Sequence, residues 1–357
     1  MDVSAKIIGI KYLPFLCRKL ETYKIEELDQ ALSRDATFTL ELTPKDNIAI
    51  SWWVSPKRTR SYPYARVYDS LNFQGKKVTI IPLFKDEGKE GDRDFLQWDT
   101  ISLMSLLGVY TIISYYNQAE QSLRYRHKIT NQRFDVLHIK EEIYDLLSYQ
   151  SDALHWNLAQ TDKVGETARK ALDSYTEIAR NLEVEMHSKE SAEKRVQELL
   201  KGKESFMGLS RELAQRAQYR ESLTTQPKEK LSGIKATLSI KNYLGGYYYF
   251  TCDEAYTDRE TIYLLEGKHS KQSSIPSSED IKDGLVKMIL FTNLKEVKVE
   301  DKEYSSISVL KLTSNKSFSK GSLGKSQLEY LRLLKKEAEE NNFQVLINDT
   351  NLHTIEL

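Results

Sequence analysis

The segment YYYFTCDEAYTDRETIYLLEGKHS, residues 247–270, leaves the backbone little choice. Two runs rich in Tyr, Ile and Leu flank Thr257-Asp258-Arg259-Glu260, a polar break short enough to reverse an antiparallel pair. The segment therefore reads as a β-hairpin. If the reversal centres between Arg259 and Glu260, counting back along both strands sets Asp253 opposite Glu266, with Cβ atoms about 5 Å apart. Side chains alternate along a strand, so Glu266 and Lys268 share a face while Gly267 points away. One surface then carries two acids and an amine. Adjacent carboxylates repel and call for a cation. Oxygen ligands of this kind suit Mg²⁺, which takes one or two protein carboxylates and completes its shell with water and substrate phosphate. Such a metal lowers the pKa of a bound water and steadies the charge on a phosphodiester. Lys268 would orient that water or neutralise the phosphate.

The elements around the hairpin run in a regular order. A helix near 207–223 precedes strands at 234–243, 247–253 and 261–268. A helix at 278–294 follows, capped by Ser277 or Ser278 and burying Ile281, Leu285, Met288, Ile289 and Leu294. A strand at 306–313, a helix at 326–341 and a strand at 343–348 complete the series. Asp253 with Glu266-Gly267-Lys268 resembles the Asp…(Asp/Glu)-x-Lys signature of the restriction-endonuclease-like phosphodiesterases. The order helix, three strands, helix, strand, helix, strand over roughly residues 205–350 is similar to the core of that fold.

The resemblance implies an α/β (mixed α+β) architecture with a Mg²⁺-dependent site of Asp253, Glu266 and Lys268. It implies hydrolysis of phosphodiester bonds in double-stranded DNA, most like a type II restriction endonuclease. Palindromic sites are matched by two-fold proteins, so a homodimer is expected. In related nucleases an acid on the helix before the sheet sometimes joins the metal shell, which makes Glu221 a candidate. Lys271, in the polar loop beyond Lys268, is a candidate for backbone phosphate. The catalytic Asp of the family often follows Pro or precedes Gly, whereas Cys252 and Glu254 flank Asp253 here, leaving Glu254 and Asp258 open as alternatives. Asp258 lies in the turn and Glu254 faces the other side of its strand, so Asp253 is preferred. The competing classes are a DNA- or RNA-binding protein in which the triad is a salt bridge, and a repair or mobile-element nuclease of the same fold.

With 357 residues the chain is long enough for two or three domains. The expected division is a β-rich N-terminal recognition region at 1–135, a helical arm at 136–204 and a nuclease core at 205–357. Basic and acidic residues balance at 52 each, so nucleic acid must be drawn in by local patches rather than a global field. One such patch is SPKRTRSYPYAR, where Lys57, Arg58, Arg60 and Arg66 are interleaved with Tyr62 and Tyr64, a composition that holds phosphates and stacks on bases. Strands are expected on either side of it, at 36–42, 47–54, 64–71 and 76–84. The charged loop after them carries Asp86, Glu87, Asp92, Asp94 and Asp99 and is a rival metal site, with Asp92 or Asp94 capping a helix at about 94–107. In the arm, Ala168, Leu172, Tyr175, Ala179, Leu182 and Met186 form a helical stripe. Two cysteines, Cys17 and Cys252, give neither a disulfide framework nor zinc-ligand spacing, which fits the cytoplasm. No secretory leader is read at the N-terminus, and the apolar stretch 101–116 falls short of a bilayer span.

Overall fold

A computed structural model describes residues 1–44, 46–188, 190–194, 234–242, 247–316, 318, 321 and 323–356. The class is mixed α and β. The chain divides into two compact units, one of Leu20–Glu212 and one joining Met1–Lys19 to Leu213–Leu357. This differs from the division expected at 135 and 204: the first strand belongs with the C-terminal elements, and the helices after 135 belong with the sheet before them. Among the described residues no helix is long and apolar enough to cross a membrane. The helix expected near 207–223, and Glu221 with it, lie outside the described residues.

The chain opens with β1 (Asp2–Ile7), which buries alternate residues Val3, Ala5 and Ile7 in the second-named unit. The unit of Leu20–Glu212 then begins with β2 (Thr22–Lys24), α1 (Leu28–Arg34), β3 (Thr37–Thr43) and β4 (Asp46–Trp52). The expected strand at 64–71 is instead a helix, α2 (Pro63–Tyr68). Pro63 occupies its first turn, where a missing N–H costs nothing, and a short segment buried on nearly all sides carries no period that separates helix from strand. After it come β5 (Lys77–Pro82), β6 (Phe84–Asp86) and β7 (Arg93–Phe95), and then α3 (Trp98–Leu106), β8 (Val109–Ser114), β9 (Tyr116–Gln121) and β10 (Ile129–Phe134). Asp94 is therefore no helix cap: it lies in β7 opposite Lys85 of β6, and Gln97 precedes α3 without a side-chain cap.

The main sheet of this unit has the order β2-β3-β4-β5-β8, with only the β3/β4 pair antiparallel. Its core gathers Phe38, Leu40, Ile48, Ile50, Val78, Ile80 and Ile112 from the strands. Three helices follow, α4 (Val136–Ser148), α5 (Ala153–Asp162) and α6 (Val164–Leu182). Within this described stretch they pack on the strands, α5 against β8 and α6 against β9, rather than standing off as an arm. The buried face of α6 is Ala168, Ala171, Tyr175 and Ile178, so the expected stripe is rotated slightly.

The other unit continues with β11 (Ile234–Asn242), β12 (Tyr247–Asp258), β13 (Thr261–Ser270), α7 (Ser278–Phe291), β14 (Lys295–Val299), β15 (Lys302–Ser314), α8 (Lys325–Glu340), β16 (Gln344–Ile347) and β17 (Thr350–Asn351). The strand order is β13-β12-β11-β1-β14-β15-β16-β17, and β13 also pairs with β15, so the series from β13 round to β15 closes on itself. β11, β12 and β13 form an antiparallel meander, and β13, β15 and β16 run parallel. Ser277 caps α7 by accepting the Asp280 N–H at 3.2 Å. The helix packs on β13 and β15 through a face that buries Ile281, Leu285, Met288 and Ile289. That face is what positions the site.

Candidate active site

The β12/β13 turn is the two-residue reversal Arg259-Glu260, with Arg259 in the left-handed region, and the register runs from Asp258 opposite Thr261 to Glu254 opposite Leu265. One further step along the same register sets Asp253 against Glu266. There the ladder gives way to side-chain bonding: Asp253 Oδ2 accepts the Gly267 N–H at 2.8 Å. The Asp253 carboxyl is also in hydrogen-bonding contact with that of Glu266. The ammonium of Lys287 answers the charge of both acids.

Glu266 is 2% exposed, and two ammonium groups hold it. Lys268 Nζ stands 3.1 Å from Oε1, and Lys287 Nζ donates to Oε2 at 2.7 Å. Burial raises the Glu266 pKa, but Lys287 and then Lys268 outweigh it, and the carboxyl stays below the usual glutamate value. Lys268 also donates to Asp283 Oδ2 at 2.8 Å. Burial alone would push its pKa down, yet Glu266 and Asp283 carry it well above the ordinary lysine value. Lys287 is raised in the same sense by Glu266 against its own desolvation, and it donates to the Thr251 carbonyl at 3.2 Å as well. Both lysines are therefore fixed cations at neutral pH, suited to stabilising negative charge and unsuited to accepting a proton.

Asp283 and Lys287 lie one helical turn apart on α7, which brings both onto the face turned toward β13. Between them Gly284 keeps a path open: a Cβ there would stand 2.7 Å from Leu310 Cδ1 and 3.2 Å from Lys268 Cε. Neither Asp283 nor the inward turn of Lys287 was read from the sequence. The available signal was the i, i+4 acid–lysine spacing beside a helical glycine. Cys252, next to Asp253, is buried; desolvation holds its thiol well above the usual range, and it donates to the carbonyls of Glu254 and Leu265. It is a packing residue rather than a nucleophile. Glu254 is buried and Asp258 closes the ladder at the turn, so neither shares the surface of Asp253 and Glu266. Lys271 is exposed in the bend after β13.

The donor set is of the kind Mg²⁺ takes, two neighbouring hard-oxygen carboxylates where the ion needs only one or two, and Lys268 and Lys287 already meet both oxygens of Glu266. Among the described residues no group of three or more His, Cys, Asp or Glu is placed to hold a metal. Any further ligands would be water and phosphate.

The DNA contacts read in the segment of residues 55–66 lie in the unit of Leu20–Glu212 and have separate fates. Lys57 and Tyr62 are exposed, and Arg58 is half-buried. Tyr64 is buried edge-on to Trp53. The Arg66 guanidinium lies 4.5 Å over the Trp52 ring and donates to the Trp52 carbonyl, which makes it part of the fold. Arg60 is gripped by the acidic loop: it donates to Glu87 at 2.9 Å, stands 3.1 Å from Asp94 and pairs with Asp92. Lys85 and Lys128 each approach Glu87 to 3.2 Å, and His187 lies 2.7 Å from Asp86. The loop's charge is thus met by side chains already in place. Arg60→Ala is expected to destabilise this unit by about 1 kcal/mol, since Asp94 is left with only the Ser55 hydroxyl while Glu87 keeps Lys85 and Lys128. Arg60→Lys should recover only part, because one ammonium cannot meet three carboxylates. Urea denaturation measures both.

Compared with protein-family models, curated proteins and solved structures, the chain finds no match. The functional reading therefore rests on the geometry alone.

Proposed function

We propose that the chain is a Mg²⁺-dependent endonuclease acting on double-stranded DNA, with Asp253, Glu266 and Lys268 as its working residues. The observation that carries this reading is the convergence of the three side chains at one end of the β12/β13 ladder, beneath α7. The strand series β11-β12-β13-β15-β16, with helices α7 and α8 in the crossovers, supports a restriction-endonuclease-like core around them. β1 and β14 would be additions to that core.

Bound Mg²⁺ would lower the pKa of a coordinated water and screen the phosphate. Asp253 and Glu266 would hold the ion. The bond from the Gly267 N–H fixes the Asp253 carboxylate on the ladder, and Lys287 keeps Glu266 charged despite its burial. Lys268, held between Glu266 and Asp283, would present its ammonium to the charge that develops on the phosphate. Site-specific cutting by a homodimer, as in type II restriction enzymes, extends the same reading.

A second reading has its own support. Both Glu266 oxygens are already bonded to lysines, as in a structural ion network within a non-catalytic nucleic-acid-binding protein. Incubation with a mixed-sequence plasmid separates the two. With Mg²⁺ the nuclease reading expects cleavage that EDTA stops: discrete bands for a site-specific enzyme, a smear for a non-specific one. Plasmid left intact across Mg²⁺, Mn²⁺ and a range of sequences supports the ion network.

A further inference from the structure

The ribbon of β9 and β10 carries, at its tip, the run Ser122-Leu-Arg-Tyr-Arg-His-Lys128, which has three cations and no acid. Leu123 is fully exposed, Tyr125 is 52% exposed, and the side chains of Arg124 and Arg126 have no acidic partner among the described residues. This surface is held in shape from below. The Ser122 N–H bonds the Lys128 carbonyl at 2.8 Å, the Ser122 hydroxyl accepts the N–H groups of Arg124 and Tyr125, and Gln121 donates to the Arg126 carbonyl. His127 is tied to Glu90 in both directions, through its N–H at 2.6 Å and its carbonyl at 3.1 Å. An ordered tip that presents two free guanidiniums, a phenol and a leucine to solvent has lost little freedom left to lose on binding.

We infer that this tip is a duplex-DNA contact: the ribbon enters a groove, Arg124 and Arg126 meet phosphates, and Leu123 and Tyr125 lie against sugar and base edges. A two-stranded ribbon is of a size that the major groove of B-DNA admits. A chain with 52 basic and 52 acidic residues has no net field for DNA, so its attraction must come from local cations such as Arg124 and Arg126, whereas Lys128 of the same run is turned to Glu87. Arg60, by contrast, is consumed by Glu87, Asp92 and Asp94. The inference rests on the nuclease reading for its choice of a duplex, and it adds a contact in the unit that does not hold Asp253.

Binding to a mixed-sequence duplex of about 25 base pairs in EDTA, measured across a salt series, tests it apart from cleavage. Each lost phosphate contact lowers the slope of log K against log salt by about 0.9, so Arg124→Gln with Arg126→Gln should lower it by about 1.8. The melting temperature should not change, because both side chains are in solvent. Leu123→Ser should weaken binding without changing the slope. A slope equal to that of the wild type overturns the inference and leaves the nuclease reading standing. So does binding of the wild-type chain to anionic phospholipid vesicles in place of DNA, as far as the tip is concerned. A lowered slope in a protein that never cuts supports the tip and overturns the nuclease reading instead.

Discussion

Asp253→Asn should abolish cleavage while leaving fold and DNA binding in place. An asparagine keeps an oxygen for the Gly267 N–H, which now bonds Asp253 Oδ2 at 2.8 Å, and its amide can donate to the Glu266 carboxylate it already touches. The hairpin therefore loses no hydrogen bond. What it loses is one of two charges able to hold a divalent ion. Metal stabilisation of phosphoryl transfer is worth several kcal/mol, and about 4 kcal/mol corresponds to roughly 10³-fold in rate. Lys268→Met should cost about 10²- to 10³-fold by removing a fixed cation while keeping an unbranched chain over Gly284 and Leu310. Single-turnover cleavage with Mg²⁺, beside duplex binding in EDTA and a thermal melt, measures all three quantities. Wild-type cutting by both variants would sink the assignment. If Asp92→Asn or Asp94→Asn then stopped cutting, the site would move to the loop around Arg60.

The hairpin was legible because two constraints agreed on it. Apolar runs on both sides named the strands, and a two-residue reversal left a single register, so counting from Arg259 sufficed to bring Asp253 to Glu266. The helix Ser278–Phe291 was legible through its serine cap and its stripe. The rest lacked local signals. β14 was missed because its hairpin with β15 turns on Glu300-Asp301, both at positive φ, where asparagine and glycine are the usual markers. β1 pairs with β11, which lies far along the chain at Ile234–Asn242, and nothing in residues 2–7 names that partner. Arg60 looked like a phosphate ligand because its acids, Glu87 to Asp94, come a whole strand later. The site had the same blind spot: Asp283 and Lys287 complete it from α7, and only packing reveals which helix face looks at Glu266.

Glu266→Gln should cost the unit about 3–4 kcal/mol, the expected scale when one member of a buried ion network is removed and its partners are left behind. Lys268 keeps Asp283, whereas Lys287 keeps only the Thr251 carbonyl and the nearby charge of Asp253. The penalty should therefore concentrate on Lys287, and Glu266→Gln with Lys287→Met should recover most of it. The pH dependence gives an independent check. In the wild type, Glu266 lies below its unfolded pKa, so its contribution is present above the ordinary glutamate range and fades as pH falls through the lowered value. Lys268 and Lys287 lie above theirs, so their contribution is full below the ordinary lysine value and fades as pH rises through the raised ones. Between those limits this network adds no slope. In Glu266→Gln, desolvation of Lys287 has lost its main opponent and its folded pKa drops. The unfolded chain then binds more protons, and stability climbs with pH from neutrality toward the ordinary lysine range. Urea midpoints at intervals between pH 6 and pH 10 register that change. A variant as flat as the wild type and weakened by less than about 1 kcal/mol would mean that the two lysines do not depend on Glu266.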